Sequence, residues 1–257
     1  HGKPKKIFLG DGNAFGLKTE KLYEILDLIA YYFPECEGIN MDATVTSVLH
    51  KSQEELEMLA RKKVKHLYLG IESGLDDVLK FMKKDHDLAQ AYQAIDRLHE
   101  AGLIYDAHIM TGVAGKGRGM ENAEALAQFL NRTNPAHVVN FSMFLHKEVP
   151  LYQDIRQGTF VPADELETIR EEYHLIERIA PEKAGANILY DGFHDFIHVR
   201  VRGHLPGDKE KMLAKLNGII QEYEGKEPVY SFVQGECPDL EYCDDGKAVW
   251  DMDRKTS

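Results

Sequence analysis

Cysteine is scarce in this chain: Cys36, Cys237 and Cys243 are the only three among 257 residues. So few, and an odd number, exclude a disulfide-stapled scaffold and suit a reducing compartment, so a cytoplasmic location is expected. Cys237 and Cys243 have no second pair at ligand spacing, which leaves a zinc site unsupported. Runs of about 18 apolar residues are absent, so no membrane span is encoded. Positive charge is outweighed, with 31 Lys and Arg against 43 Asp and Glu for a net charge of −12. That balance argues against a nucleic-acid partner, because phosphate backbones are held by clustered cations, although local basic patches remain open. Neither G-x-G-x-x-G nor G-x-x-x-x-G-K-S/T occurs, so a nucleotide-phosphate loop has little support.

What is present is an ordinary globular composition, 43% hydrophobic and 29% charged, in a chain long enough for one large or two small domains. Short apolar runs alternate with helical periodicity. Residues 6–10 read as a strand leading into a Gly-Asp-Gly-Asn turn, and Leu22, Ile25, Leu26, Ile29 and Phe33 place a helix over 19–33. A strand at 38–44 follows, then a capping box of Ser52 and Glu55 ahead of a helix. Strands at 66–74, 104–117 and 137–145 alternate with helices at 75–101, stopped by Gly102, and 121–132. Repeated βα units imply a parallel sheet, and Gly-rich or polar strand exits suit a barrel whose ligands gather at the C-terminal strand ends. Beyond residue 152 the pattern loosens into a helix at 163–179, a His-rich stretch at 193–207, a helix at 208–222 and a polar tail from Gly225.

Asp11 and Asn13 follow the first strand, Asp42 ends the second, Glu72 the third, and His108 lies within the fourth. Each alone also reads as a turn residue or helix cap. Together, at consecutive strand ends, they point to one assembled site. His194, His198 and His204 are candidate metal ligands only in residue type, since no spacing rule is met.

These exits carry a resemblance. "LGDGNAF" (9–15), "LGIESG" (69–74) and "TGVAG" (111–115), in this order, resemble the S-adenosylmethionine-dependent radical enzymes (radical SAM), in particular those similar to oxygen-independent coproporphyrinogen III oxidase. The resemblance runs over about residues 5–220 and implies an α/β fold, a partial (β/α)6 TIM-like barrel lacking its first βα unit. Residues 1–205 would form the barrel and 206–257 a C-terminal helix and polar tail. It implies cofactor contacts from Gly10, Asp11, Gly12 and Asn13 to the methionine amino end of SAM, from Asp42 and Glu72 to its amine or ribose hydroxyls, and from Lys84 to its carboxylate. His108 stands where the family carries an acidic residue, and the backbone from Met110 through Gly112 to Gly115 would flank adenine. Lys84 stands where the family usually has Arg, so a bidentate clamp becomes a single ammonium contact.

The family hallmark C-x-x-x-C-x-x-C, three thiolates on a [4Fe–4S] cluster, is absent from these residues. The opening "HGKPKK" without an initiator Met is therefore expected to mark a fragment or a tag remnant, with the cluster segment upstream; the alternative is a natural protein without the cluster. The resemblance then implies cleavage of SAM to a 5′-deoxyadenosyl radical acting on an unknown substrate, with an electron donor such as flavodoxin or ferredoxin. It also implies that the fragment alone is inactive. Two other readings stay open: a non-radical barrel enzyme using Asp11, Glu72 and His108 as an acid/base set, and a non-catalytic domain that binds SAM or a nucleotide.

Overall fold

The computed structural model describes residues 2–10 and 12–233, and the backbone of 239–242 and 248–251; Asp11, Cys237 and Cys243 lie outside the described residues. In chain order the elements are β1 (Lys6–Leu9), α1 (Thr19–Tyr32), β2 (Gly38–Ala43), α2 (Val45–Leu49), α3 (Gln53–Arg61), β3 (Val64–Glu72), α4 (Asp76–Phe81), α5 (Leu88–Glu100) and β4 (Ile104–Thr111). Then come α6 (Gly119–Thr133), β5 (His137–Ser142), α7 (Leu151–Arg156), α8 (Glu165–Arg178), β6 (Ile188–His194), β7 (Val199–Leu205) and α9 (Lys209–Tyr223). A separate hairpin pairs β8 (Asp239–Tyr242) with β9 (Ala248–Asp251).

The first seven strands form one sheet in sequence order, parallel from β1 to β6, with β7 antiparallel to β6. Parallel strands with intervening helices form the expected α/β partial barrel, but a six-unit barrel lacking its first unit would have five parallel strands and the sheet has six. Because β1 and β7 do not pair, it is an open half-barrel. The sixth parallel strand and the antiparallel seventh lie in the stretch that looked irregular in sequence.

Side-chain alternation decides the layers. Leu67, Leu69 and Ile71 on β3 and Ala107 and Ile109 on β4 point to the helix side, where they pack in one core with Leu22, Leu26, Ile95, Leu98, Leu126, Leu130, Ile169 and Ile176. These residues are essentially fully buried, at about 1.5–3 kcal/mol for each large apolar side chain removed from water. Met212, Leu213 and Leu216 of α9 join the same core.

The capping box of Ser52 and Glu55 forms as expected, and two more, Thr44 with Ser47 and Asp87 with Gln90, open α2 and α5. Gly102 takes the left-handed conformation that ends α5. The single helix expected over 75–101 is instead two. Lys83 adopts φ 55°, the Lys84 N–H turns back to Leu79 O at 2.9 Å, and Asp87 starts a new helix. No Gly or Pro marks this break, so periodicity alone runs through it.

Candidate functional site

The register places one set of side chains on the inner face of the half-barrel. Asp42 pairs in register with Tyr68, Tyr68 with Asp106, Gly70 with His108, and Phe141 with Phe193. The C-terminal end of this face gathers the strand exits.

At the β1 exit, a Cβ on Gly10 would lie 3.8 Å from Asp42 Oδ2 and 3.5 Å from the Phe8 ring. Gly12, at φ +77°, faces open space, so the backbone here is accessible to a ligand. The Asn13 side chain turns instead over Gly16, whose Cβ would fall 2.5 Å from Asn13 Nδ2.

At the β3 exit, Glu72 adopts the left-handed conformation, φ 62°, which costs a non-glycine residue free energy and concentrates at functional positions. Its Oε1 accepts from Lys84 Nζ at 3.1 Å. The break between α4 and α5 is what brings Lys84 back to the strand end. Gly70 makes room for the pair: a Cβ there would stand 2.7 Å from Glu72 Oε1 and 3.3 Å from Lys84 Nζ.

His108 is half-buried beside them. Burial holds its imidazole below the usual range against the pull of Asp42, Glu72 and Asp106, so it is neutral at pH 7. Deeper in the face, Asp106 Oδ2 accepts from His66 Nδ1 at 2.7 Å, while Asp106 Oδ1 is buried with no hydrogen-bond partner. Burial, with Asp106 and Asp42 nearby, pushes the Tyr68 phenol up to about 12.

Of the residues singled out in sequence, Gly10, Asp42, Glu72, Lys84 and His108 therefore come together. Met110, two residues beyond His108 on β4, packs against Val78, Val113 and Ala114. Gly112 turns away toward α8, its N–H donating to Glu171 Oε2 at 2.8 Å. Asp11 lies outside the described residues.

Sequence reasoning missed a buried polar network behind the exits of β4 to β6. His194 Nδ1 and Nε2 lie 3.0 Å from Glu165 Oε2 and 3.0 Å from Glu172 Oε2, respectively. Asn140 Nδ2 donates to Glu172 Oε1 at 3.1 Å, as does the Tyr190 hydroxyl at 3.0 Å, and Asn122 Nδ2 donates to Glu171 Oε1 at 2.7 Å. His194 is thus an ion-pair partner, whereas His198 and His204 are exposed. Among the described residues no group of three or more His, Cys, Asp or Glu could hold a metal ion. One signal was available: Glu172 falls on the same helical stripe as Ile169 and Ile176, an acidic residue where an apolar one belongs.

The cysteines do not fit an iron–sulfur cluster. Cys36 is buried on the helix side, its thiol donating to Gly38 O at 3.4 Å, and no three cysteines stand at the required spacing. No helix among the described residues is long and apolar enough to cross a membrane.

A family model described as "Radical SAM superfamily" matches residues 1–130. The chain is 25% identical over 119 residues to a tRNA uridine(34) acetyltransferase of Methanocaldococcus infernus, covering 46% of this chain and 22% of that protein. It is 22% identical over 179 residues to the heme chaperone HemW of Bacillus subtilis, 68% of this chain and 46% of that protein. The chain therefore spans less than half the length of these curated relatives. Among solved structures, the archaeal Methanocaldococcus infernus Elp3 with an N-terminal deletion matches at TM-score 0.61 and 17% identity, covering 85% of this chain and 54% of that chain. That likeness is one of fold.

Proposed function

Because this chain belongs to the radical SAM superfamily, whose members use SAM and a [4Fe–4S] cluster, we propose that the exits of β1, β2 and β3, with His108 of β4, hold SAM for a radical enzyme. The observation that carries this reading is the Glu72–Lys84 pair, folded over Gly70 and sharing the inner face with Asp42 and His108. It supplies one cation and two carboxylates within a small space, the complement of an amino acid that carries both charges. Lys84 turns from Glu72 to the ligand carboxylate. Glu72 and Asp42 then accept from its amine and ribose hydroxyls, and the open backbone at Gly10 and Gly12 lets the ligand approach closely. The neutral His108 adds a hydrogen-bonding group without adding charge.

Beside a cluster, SAM held here would supply the radical chemistry of the superfamily. The thiolates for that cluster would have to come from residues other than these 257, since none here has the spacing. Its electrons would come from an external donor of the flavodoxin or ferredoxin class. The chain's own contribution is to bind and orient SAM.

Calorimetric titration with SAM tests the reading. Saturable binding is expected, weakened roughly tenfold by Glu72→Gln or Lys84→Ala, each removing about one charged hydrogen bond. Absence of SAM binding, or binding indifferent to both substitutions, would overturn it.

A further inference from the structure

Beside the cofactor contacts, the inner face carries a ladder of rings. Centroids lie 5.6 Å apart for Phe8 and Tyr68, 5.3 Å for Tyr68 and His108, 6.0 Å for His108 and Phe141, and 5.6 Å for Phe141 and Phe193. The ladder crosses the sheet from β1 to β6. Its rings are not core: Phe8 is 52% exposed, and Tyr68, His108, Phe141 and Phe193 are half-buried. A contiguous accessible run of aromatic surface in a water-soluble fold marks a binding face.

The ladder ends on charge. The Arg200 guanidinium lies 4.7 Å from the Phe193 ring centroid, and Arg202 follows on the same face of β7. Arg200 holds Asp191 bidentately, at 2.8 and 2.6 Å, while Arg202 approaches the same carboxylate only at 3.6 Å. Two guanidinium groups on one carboxylate leave one positive charge over. At the β7 edge, Lys211 and Lys215 of α9 join these arginines, Val201 and Met212 around an opening of about 410 Å³ whose lining holds no acidic residue and none of the ladder's rings. In a chain of net charge −12, this is a localised cationic edge bordering an aromatic floor.

We infer that this face takes the substrate, and that the substrate is a small flat-ringed molecule carrying an anionic group, its ring on the Phe141–Phe193 end of the ladder and its anion at Arg200 and Arg202. This rests on the reading of the neighbouring exits as the SAM site. The small footprint of the cationic edge and the acidic remainder of the chain favour a compact acid over a polyanion.

The probes are 2-naphthoate and its neutral counterpart 2-naphthamide, titrated into the full chain by fluorescence, with SAM titrated into the same samples. The expected result is at least tenfold tighter binding of 2-naphthoate. That preference should disappear in Arg200→Ala/Arg202→Ala, and both probes should weaken at least fivefold in Phe193→Ala. Arg202→Gln, which gives up only the long contact to Asp191, is the second variant and should reduce the preference without changing the melting temperature. Equal affinity for the two probes, or a preference that survives both arginine variants, would overturn the inference. So would displacement of 2-naphthoate by a twelve-nucleotide oligouridine with steep salt dependence, which would assign the face to single-stranded nucleic acid. The naphthoate pattern without SAM binding sustains this assignment and rejects the cofactor reading. SAM binding without the naphthoate pattern does the reverse.

Discussion

Lys84 Nζ donates to Glu72 Oε1 at 3.1 Å above Gly70, joining the end of β3 to the break between α4 and α5. Both side chains are about one-quarter exposed, and ion pairs with that much access to water contribute roughly 0–1 kcal/mol. Stability therefore does not account for a pair built on a Glu72 that itself stands at φ 62°. The zwitterion site proposed above would account for both.

Gly70→Ala separates the two roles. The added Cβ meets the flexible ends of Glu72 and Lys84 and no backbone, so the pair moves aside while the strand stays intact. SAM affinity is expected to fall about tenfold, one charged contact's worth, with a stability change under about 1 kcal/mol. Calorimetry paired with thermal melting checks this; a large drop in melting temperature with unchanged SAM affinity would reverse the assignment of roles.

Lys51 shapes the β1 exit from behind. It is buried, donates to Leu17 O at 3.0 Å and to Thr19 Oγ1 at 3.4 Å, and lies 4.9 Å over the Phe15 ring. Lys51→Met keeps the aliphatic stem and removes these donors. Amide exchange over 12–19 is expected to accelerate, with SAM binding weakened severalfold and the core's exchange unchanged. Hydrogen exchange followed by mass spectrometry reads both regions at once.

Local signals made much of this fold legible. The Ser52 and Glu55 capping box, the Gly102 stop and the apolar strands up to β5 each follow from neighbours within a few residues. The polar exits Asp42, Glu72 and His108 followed from the βα rhythm. What escaped was set at long range. Lys84 was named through the resemblance, but the helix break that carries it to the strand end, with a left-handed Lys83 that no Gly flags, was not. Glu165, Glu171 and Glu172 are buried because partners from β5, β6 and α6 meet them. The β6–β7 hairpin was partly readable: Val201, Gly203 and Leu205 are buried while Arg200, Arg202 and His204 alternate with them, a period of two overshadowed by the histidines.

Asn122 and Gly74 join the β3 exit to α6. Asn122 Oδ1 accepts from Ser73 Oγ at 2.6 Å and from the Gly74 N–H at 3.3 Å, while its Nδ2 serves Glu171. Asn122→Ala removes one hydrogen bond each from the Ser73 hydroxyl, the Gly74 N–H and the Glu171 carboxyl, of which only the Gly74 N–H has no other partner among the described residues, and is expected to cost about 2–3 kcal/mol. A Cβ on Gly74 would lie 2.5 Å from the Ala125 carbonyl carbon, a backbone atom that cannot swing away, so Gly74→Ala is expected to cost about 1–3 kcal/mol. Urea denaturation of the two variants measures both. Wild-type midpoints would show that the helix and the exit are not coupled.

The buried network sets a pH dependence with a definite sign. Burial, against hydrogen bonds from Asn122 and Gly112, pushes the Glu171 carboxyl up to about 8, and it takes up a proton that the unfolded chain releases near 4.5. His194 is desolvated too, yet Glu172 and Glu165 hold it up to about 10, above the 6.5 of an unpaired histidine. Both folded-state values are raised, so both contributions are fully present below the unfolded values and are lost as pH rises through about 8 for Glu171 and about 10 for His194. Between pH 6.5 and 8 the native state holds more protons than the unfolded chain at both sites. Stability should then fall with rising pH, by up to about 1.4 kcal/mol per unit for each group. Glu171→Gln keeps an acceptor for Gly112 or Asn122 but carries no proton to lose, so the slope over this window should become shallower, the remainder belonging to His194. Urea midpoints at half-unit steps from pH 6 to 8.5 for both proteins test this; a wild-type stability that rises across the window would refute the assignment.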